Sequence, residues 1–309
     1  MRETLLPASV KIVEVGPRDG LQNEAAHVTT DTKVELIRRL VDAGIAYVEA
    51  GAFVSTKWVP QMADSGEVIR RLGNPDGVTF AALVPNLKGL EAALDSGCRE
   101  VAVFASASES FSQRNINCSV AESLARFVPV IDRAVAAGVR IRGYVSCVLG
   151  CPFEGAARPE QVASVAADMY QMGCYEVSLG DTIGVGTPAK AKAMLDACMK
   201  AVPANALACH FHDTWGMAIA NVYAALQHGV STFDSSVSGL GGCPYSPGAT
   251  GNVATEDVLF LCDELGIFTG VDLAKLTDAG AFISKALGRP TSSRVARALE
   301  GRRARASQR

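Results

Sequence analysis

The sequence has few histidines, no long apolar run and no basic stripe outside its extreme C-terminus. Its formal net charge is −3 over 309 residues, and without a basic surface we expect no nucleic-acid partner. Charges or glycines interrupt the apolar segments well before the roughly 20 residues that a membrane-spanning helix needs, so we expect no membrane span. The N-terminal MRETLLPASVKIVEVG lacks the pattern of a secretory signal. Together with nine scattered cysteines, this predicts a cytoplasmic protein with reduced thiols rather than a disulfide framework.

What the sequence does contain is a regular alternation of strand and helix patterns. Amphipathic segments such as DTKVELIRRLVDAG and PEQVASVAADMYQMG end in glycine, the residue favoured just beyond a helix C-terminus. A β-rich segment follows most of these glycines, and no GxGxxG turn follows a strand, which argues against a dinucleotide-binding fold. The eight predicted strands are KIVEVG, YVEAGA, TFAALV, EVAVFA, RIRGYVS, YEVSLGD, LACHFHD and TFDSSVSG.

Eight such units predict a parallel sheet covered by helices. Without the pattern of a second domain, they favour an α/β protein with one closed (β/α)8 TIM barrel spanning residues 1–309. From about Val271, the segment VDLAKLTDAGAFISKALGR predicts a C-terminal extension of additional helices packed on the barrel. The final RRARASQR is expected to be solvated or disordered.

Ionisable residues cluster where the predicted strands end, which is the end of a TIM barrel that carries the active site. Random surface charge would instead favour helix faces, so we interpret this cluster as a functional rim. Its members are Arg18 and Asp19 after the first strand, Glu49 on the second, Asp181 on the sixth, and His210, His212 and Asp213 on the seventh.

His210 and His212, in CHFHDTWG, are two of only four histidines in the chain. Alternate side chains of a strand share a face, so both imidazoles should point to one place. With a carboxylate from another strand and an amide oxygen such as that of Asn252, they would form a mixed nitrogen and oxygen site. Such a site suits Mg²⁺ or Mn²⁺, and imidazole extends the choice to Zn, Fe or Co. The spacing alone also allows two inert, hydrogen-bonded histidines at a strand end.

Arg18, Asp19 and Cys243 predict further chemistry. On a strand end Arg18 and Asp19 would project to opposite sides, so we expect separate roles rather than a mutual ion pair. The permanent charge of Arg18 suits an oxygen on which negative charge develops. Cys243 lies in the glycine-rich SGLGGCPYSPGATGN, where a closing loop would deliver its thiol to a substrate. The alternative for Cys243 is a buried loop thiol without a catalytic role.

Six ordered motifs carry a family resemblance: VKIVEVGPRDGLQNE, FVSTKWVPQMAD, VSCVLGCPFEG, EVSLGDTIGVGTP, CHFHDTWG and GLGGCPYSPGATGN. The sequence resembles the 3-hydroxy-3-methylglutaryl-CoA lyases from roughly Val10 to Ala298. This family of metal-dependent TIM barrels cleaves its substrate to acetyl-CoA and acetoacetate at the end of leucine breakdown. The resemblance implies a divalent cation, Mg²⁺ or Mn²⁺, and a small-molecule acyl-CoA substrate. Because oligomers are common among such barrels, we expect a homo-oligomer, with a dimer as the simplest case.

The resemblance also implies roles for particular residues. Arg18 would contact the thioester carbonyl oxygen, and Cys243 would act in acid–base chemistry. Glu49 and Asp181 would orient the metal ligands or their waters. Four side chains would hold the metal: Asp19, His210, His212 and Asn252.

Three positions depart from the family's usual pattern. Ala52, in EAGAFVS, stands where these lyases usually have a serine, and Trp215 and Met217, in HDTWGMA, replace a tyrosine and a glutamine. All three changes make the expected pocket wall less polar, so a longer or more apolar 3-hydroxyacyl-CoA dicarboxylate is an alternative substrate. Gln22, in GPRDGLQNE, is a further candidate for the substrate pocket.

Other readings of the chemistry stay open on the sequence alone. A Claisen-condensing synthase of the isopropylmalate or homocitrate type would share the barrel and the metal, although such enzymes usually carry a long C-terminal extension. A metal-binding barrel that has lost activity is the non-catalytic alternative. The group that takes the substrate's alcohol proton is also open among Asp19, His210 and a bound water, because a nitrogen bound to metal has no free lone pair.

Overall fold

Eight parallel strands pair in chain order, and the first pairs with the last to close a barrel. The computed structural model describes residues 6–242 and 251–306. The predicted TIM barrel is therefore confirmed. Its strands are β1 (Lys11–Glu14), β2 (Tyr47–Ala52), β3 (Thr79–Leu83), β4 (Glu100–Ser106), β5 (Arg140–Ser146), β6 (Glu176–Asp181), β7 (Leu207–Phe211) and β8 (Thr232–Ser235).

Helices cover the outside of the barrel, and several begin at a side chain that caps the first turn. Ser119 and Glu122 form a reciprocal capping box at one of them, which satisfies main-chain donors that the helix itself leaves unpaired. The helices of the described residues are α1 (Thr30–Asp42), α2 (Ser65–Leu72), α3 (Leu87–Asp95), α4 (Glu109–Ile116), α5 (Val120–Ala136), α6 (Pro159–Gln171), α7 (Pro188–Cys198), α8 (Ala218–Leu226), α9 (Thr255–Glu264), α10 (Leu273–Leu287) and α11 (Arg294–Ala306).

The short helix α4 lies in the link after β4 and is not indicated by the apolar pattern. Its ESFSQRNI segment is mostly polar, and only Phe111 and Ser112 are buried. The hydroxyl of Ser108 accepts a hydrogen bond from the Phe111 main-chain N–H at 3.1 Å, which caps the first turn. A local cap therefore starts this helix where hydrophobic periodicity gives no sign of it.

The C-terminal segment adds α10 and α11 to the barrel. Helix α10 packs against α1 and α9, and α11 packs against α9. The carboxylate of Asp257 accepts hydrogen bonds from the Ser293 hydroxyl at 2.6 Å and the Val295 N–H at 3.0 Å, which fixes the start of α11. Of the two alternatives for RRARASQR, the solvated end is the one observed as far as Ala306, because helix α11 extends to that residue with its last side chains exposed.

The aliphatic core lies between the strands and the helices, whereas the inside of the barrel holds charged side chains. Lys11 Nζ lies 2.6 Å from Glu176, Arg142 Nε 2.7 Å from the same carboxylate, and Arg142 Nη2 2.6 Å from Asp234. We call Lys11, Glu176, Arg142 and Asp234 the charge column. Branched aliphatic residues usually fill this position in TIM barrels, so the column departs from the usual barrel interior.

Two further observations concern predicted absences. None of the described helices is both long and apolar enough to cross a bilayer. The eight cysteines within the described residues are buried and form no disulfide.

Candidate metal centre and active site

The two histidines of CHFHDTWG converge at the mouth of the barrel. His210 lies on β7, His212 follows the strand directly, and both are buried. Their Nε2 atoms lie 3.1 Å apart, which confirms that both imidazoles point to one place. The main chain of His212 pairs with that of Asn252 in a single antiparallel bridge, so the chain segment after β8 is held beside the histidines.

Asp19 completes a cluster of possible ligands with the two histidines. Its Oδ2 atom lies 4.0 Å from His210 Nε2, and one donor atom from each of the three residues lies within 4.8 Å of the others. Asp19 reaches this position from a wide helical turn, Gly16–Gly20, which follows β1. The sequence-predicted carboxylate from another strand end is therefore present beside the imidazoles.

Asn252 contributes an unpaired oxygen to the same place. Its Nδ2 donates hydrogen bonds to Asp19 Oδ2 at 2.8 Å and to the Leu240 carbonyl at 3.1 Å. These contacts fix the amide group, and its Oδ1 atom is buried with no hydrogen-bond partner. A buried acceptor without a partner costs about 1–3 kcal/mol, so this oxygen is suited to bind a cation or a water that a cation holds.

The donor set fits a catalytic divalent cation. One carboxylate, two imidazoles and one amide oxygen are hard or intermediate ligands, as Mg²⁺ and Mn²⁺ sites use, and imidazole also accepts Zn. The cluster contains no thiolate among the described residues. A site with these few protein ligands leaves coordination positions for water and substrate.

Arg18 and Asp19 form an ion pair, so the expectation that they project to opposite sides is wrong. Arg18 Nη1 lies 2.6 Å from Asp19 Oδ1, because both residues are on the turn after β1 and not on an extended strand. The other edge of the guanidinium contacts Glu49 on β2, with Nε 2.7 Å and Nη2 2.6 Å from Oε2. Two carboxylates thus fix Arg18 at the mouth of the barrel, and Glu49 Oε1 stays buried without a partner.

These contacts determine the charges of the site. Burial favours neutral Asp19, but Arg18, the two histidines and the hydrogen bond from Asn252 together outweigh burial and lower the pKa of Asp19 to about 2. Burial and the neighbouring His210 lower the pKa of His212 to about 4. Both residues are therefore in the protonation state that binds a cation at neutral pH.

Behind His210 lies a carboxylate that the sequence argument missed. His210 Nδ1 is 3.3 Å from Asp234 Oδ2, and Asp234 in turn contacts Arg142 of the charge column. The ring of Tyr144 lies above the same arginine, with its centroid 4.9 Å from the guanidinium carbon. A sequence signal was available, because Arg142 and Asp234 place charges inside the predicted strands RIRGYVS and TFDSSVSG, and the structure buries both of them.

Two predicted rim carboxylates bind the main chain instead. Asp181 accepts hydrogen bonds from the N–H groups of Val185 at 3.2 Å and Gly186 at 2.8 Å. Burial raises its pKa to about 6 despite these bonds. Asp213 accepts one from Ala218 at the start of α8, at 3.0 Å. Both carboxylates shape the loops of the mouth, and a role of Asp181 toward the metal stays a prediction.

The candidate pocket residues have different environments. Trp215 is 70% exposed and lines a cavity of about 600 Å³ that also borders Asn252. Met217 is 40% exposed and does not line this cavity. Ala52 is buried at the end of β2, and Gln22 is half-buried just after the turn that carries Asp19. Cys243 lies outside the described residues.

Comparison with known proteins gives consistent matches over almost the whole chain. The HMGL-like family model matches residues 9–283. A hydroxymethylglutaryl-CoA lyase of Pseudomonas mevalonii is 60% identical over 297 residues, which are 96% of this chain and 99% of that protein. A 3-hydroxy-3-isohexenylglutaryl-CoA/hydroxy-methylglutaryl-CoA lyase of Pseudomonas aeruginosa is 60% identical over 294 residues, 95% of this chain and 98% of that protein.

A solved structure agrees with these sequences. The crystal structure of hydroxymethylglutaryl-CoA lyase from Pseudomonas aeruginosa superposes with a TM-score of 0.95 at 59% identity. The superposition covers 96% of this chain and 99% of that one. The same barrel is thus present in a relative of nearly the same length.

Proposed function

Because this chain belongs to the HMGL-like family, we propose that it is a carbon–carbon lyase that cleaves 3-hydroxy-3-methylglutaryl-CoA to acetyl-CoA and acetoacetate. The observation that carries this function is the meeting of Asp19, His210 and His212 beside the fixed guanidinium of Arg18. The condensing-synthase alternative is not favoured, since the relatives described above are lyases.

Four side chains would hold the divalent cation: Asp19, His210, His212 and Asn252. A divalent cation bound there makes a coordinated hydroxyl more acidic and orients the oxygens of its substrate. The unpaired Oδ1 of Asn252 supports its assignment as the fourth ligand. We assign Mg²⁺ or Mn²⁺ to this mixed nitrogen and oxygen donor set.

The reaction breaks one carbon–carbon bond, removes the proton of the substrate hydroxyl and adds a proton to the enolate carbon. The substrate hydroxyl loses its proton, its oxygen becomes the ketone of acetoacetate, and the electrons of the broken bond pass to the thioester as an enolate. We assign the hydroxyl proton to Asp19 or to a water beside it, because His210 would have no free lone pair once its Nε2 binds the metal and its Nδ1 donates to Asp234. The enolate carbon then takes up a proton, for which Cys243 is the assigned donor.

Arg18 is the residue that we assign to the thioester oxygen. Its guanidinium is held by Asp19 on one edge and Glu49 on the other, so it needs little reorganisation when negative charge develops nearby. Glu49 orients Arg18 and keeps one unpaired oxygen, Oε1, for a water or a substrate hydroxyl. Loss of such an electrostatic donor typically lowers the rate about 10²–10³-fold.

A substrate with a longer alkyl arm is a second candidate. The Pseudomonas aeruginosa relative is named for both 3-hydroxy-3-isohexenylglutaryl-CoA and the methyl compound. Trp215, which replaces a tyrosine of the usual pattern, lines a cavity of about 600 Å³ that borders Asn252. The wall of this cavity also carries Asp213, Asp257 and Arg294, so the second candidate is supported by the relative's name and the apolar Trp215 and not by the cavity.

Two properties of the whole protein complete the proposal. We propose a cytoplasmic enzyme, which the buried thiols without disulfides support. We also propose a homo-oligomer, a dimer in the simplest case, to be tested by sedimentation of the purified protein.

The test is a product assay with the purified enzyme and both acyl-CoA compounds. After chelation, addition of Mg²⁺ or Mn²⁺ should restore release of acetyl-CoA, together with acetoacetate from the methyl compound. Arg18→Gln should lower kcat about 10²–10³-fold. Arg39→Gln, which removes an exposed pair with Glu35, serves as the matched control with unchanged kcat. Absence of carbon–carbon cleavage with either compound under every metal condition would rule out the proposed function.

A further inference from the structure

We propose that Asp234 is a positioning residue that holds His210 in one tautomer, with its proton on Nδ1 and the lone pair of Nε2 directed to the metal. This inference rests on the metal centre proposed above and not on the identity of the substrate. An ionised carboxylate only accepts hydrogen bonds, so His210 must donate from Nδ1 across the 3.3 Å contact. The remaining nitrogen, Nε2, then faces His212 Nε2 at 3.1 Å and Asp19 Oδ2 at 4.0 Å.

The surroundings of Asp234 fix the carboxylate before any metal binds. Arg142 donates to both of its oxygens, from Nη2 at 2.6 Å and from Nη1 at 3.2 Å. The hydroxyl of Ser178 donates to Oδ2 at 2.7 Å. Asp234 and Arg142 are 1% and 0% exposed, so no solvent competes for these bonds. A two-pronged arginine contact restrains both position and orientation of a carboxylate.

The other members of the charge column contact Arg142 or one another and not the imidazole. Arg142 Nε donates to Glu176 at 2.7 Å, and Glu176 receives Lys11 Nζ at 2.6 Å. Within the column, Asp234 is the side chain that contacts His210. Partners of this kind fix the ring of a metal-binding histidine, and their removal typically costs 10- to 100-fold in metal affinity.

His212 has no carboxylate partner of this kind, and its Nδ1 atom is buried without a hydrogen-bond partner. Its Nε2 lies 3.1 Å from His210 Nε2, so when His210 Nε2 is the acceptor in the metal-free protein, His212 Nε2 is the donor. A perturbation of Asp234 that moves the His210 proton to Nε2 should therefore move the His212 proton to Nδ1, and the nitrogen signals of both histidines should change.

The competing explanation is that Asp234 only neutralises Arg142. In that case its removal would lower stability without changing the imidazole. Glu176 offers the matched control, because it is a second buried carboxylate on Arg142 and does not touch His210. Glu176→Gln should cost a similar amount of stability and leave Mn²⁺ affinity within about twofold of the wild type.

The experiment combines two measurements that do not depend on turnover. Nitrogen-15 histidine NMR of the metal-free protein, with only four histidines to assign, should show His210 protonated on Nδ1 in the wild type. Asp234→Asn should shift His210 toward the Nε2 tautomer and lower Mn²⁺ affinity about 10- to 100-fold by calorimetry, and Asp234→Glu should recover part of the loss.

Several results would overturn the proposal. The first is a wild-type His210 that is protonated on Nε2. This result comes from NMR of the wild type alone, so it tests the proposal even if Asp234→Asn does not fold. The second is an Asp234→Asn protein with wild-type affinity and tautomer. The third is an equal loss of Mn²⁺ affinity in Glu176→Gln. If these measurements give the expected results and no acyl-CoA is cleaved, the proposed function fails while the positioning role stands.

Discussion

The charge of Arg142 can be removed with a side chain of similar length, and the structure sets the expected cost. Arg142→Met leaves Asp234 and Glu176 buried without their shared counter-ion, with Arg142 itself 0% exposed in the wild type. Removing one partner of a buried ion pair typically costs about 3–5 kcal/mol, because a charge stays in the interior uncompensated. We therefore expect the free energy of unfolding to fall by about that amount.

This cost converts into a measurable temperature shift. An unfolding entropy of about 2.1 cal/mol/K per residue over 309 residues makes each kcal/mol worth about 1.5 °C. Arg142→Met should accordingly lower the Tm by about 5–8 °C in a calorimetric scan of the metal-free protein at pH 7. Urea unfolding of the same samples gives the free energy directly.

The matched control is Arg133→Met, which breaks the exposed pair with Glu91. That arginine is 43% exposed and lies 2.8 Å from the carboxylate, and exposed pairs contribute about 0–1 kcal/mol. If Arg142→Met costs no more than Arg133→Met, the charge column does not behave as a buried ion pair and the reasoning fails.

The pH dependence gives a second check on the same variant. Loss of Arg142 should raise the pKa of Asp234 in the folded state, since burial then acts without its largest opposing charge. The folded variant would bind more protons than its unfolded chain, so its stability should rise relative to the wild type as the pH falls from 7 to 5. A stability difference that does not change with pH would contradict this.

Three further predictions concern other groups. Burial raises the pKa of Glu256 to about 8, so the folded state binds an extra proton between about pH 4.5 and 8, and its stability falls as the pH rises. In urea unfolding, the free energy of the wild type minus that of Glu256→Gln should decrease by more than about 1 kcal/mol between pH 5 and 8. A constant difference would argue against a protonated Glu256. His212→Ala should weaken Mn²⁺ binding at least about 10²-fold by calorimetry, more than loss of an outer partner costs; unchanged affinity would count against its role as a ligand. Cys243→Ala should lower kcat about 10²–10⁴-fold with Mn²⁺ affinity retained, and a defect explained wholly by lost metal would reject the acid–base assignment.

The sequence pattern predicts strands well where burial is continuous and poorly where the chain turns at the barrel mouth. YVEAGA and RIRGYVS match β2 and β5 residue for residue. The predicted last strand, TFDSSVSG, is too long, because β8 ends at Ser235 and Val237–Gly239 form a helical turn. Ser238 has a φ of +62° there, which no apolar period reveals.

In the candidate site, too, the sequence predicts features that depend on local strand geometry and not those that depend on contacts between distant segments. The two-residue period places His210 and His212 on one side from sequence alone, and the structure confirms it. An extended strand end predicts Arg18 and Asp19 on opposite sides, whereas the chain forms a helical turn over Gly16–Gly20 that sequence alternation does not reveal. Asp234 was missed because its partners come from β5, β6 and β7, which are 92, 56 and 24 residues away along the chain.

The buried ion pairs of the charge column could contribute to stability or to the orientation of His210. Replacing a buried ion pair by well-packed apolar residues is often neutral or stabilising, so stability alone does not require Glu176, Arg142 and Asp234. We therefore expect a triple Leu variant at these three positions to be much closer to the wild type in stability than Arg142→Met, because the one column charge that remains, Lys11, is 38% exposed. The same variant has no acceptor for His210 Nδ1, and its Mn²⁺ affinity should fall at least as far as that of Asp234→Asn. If the triple Leu variant has both the stability and the Mn²⁺ affinity of the wild type, the charge column does not contribute to metal binding. If it has the stability alone, the column contributes to the orientation of His210.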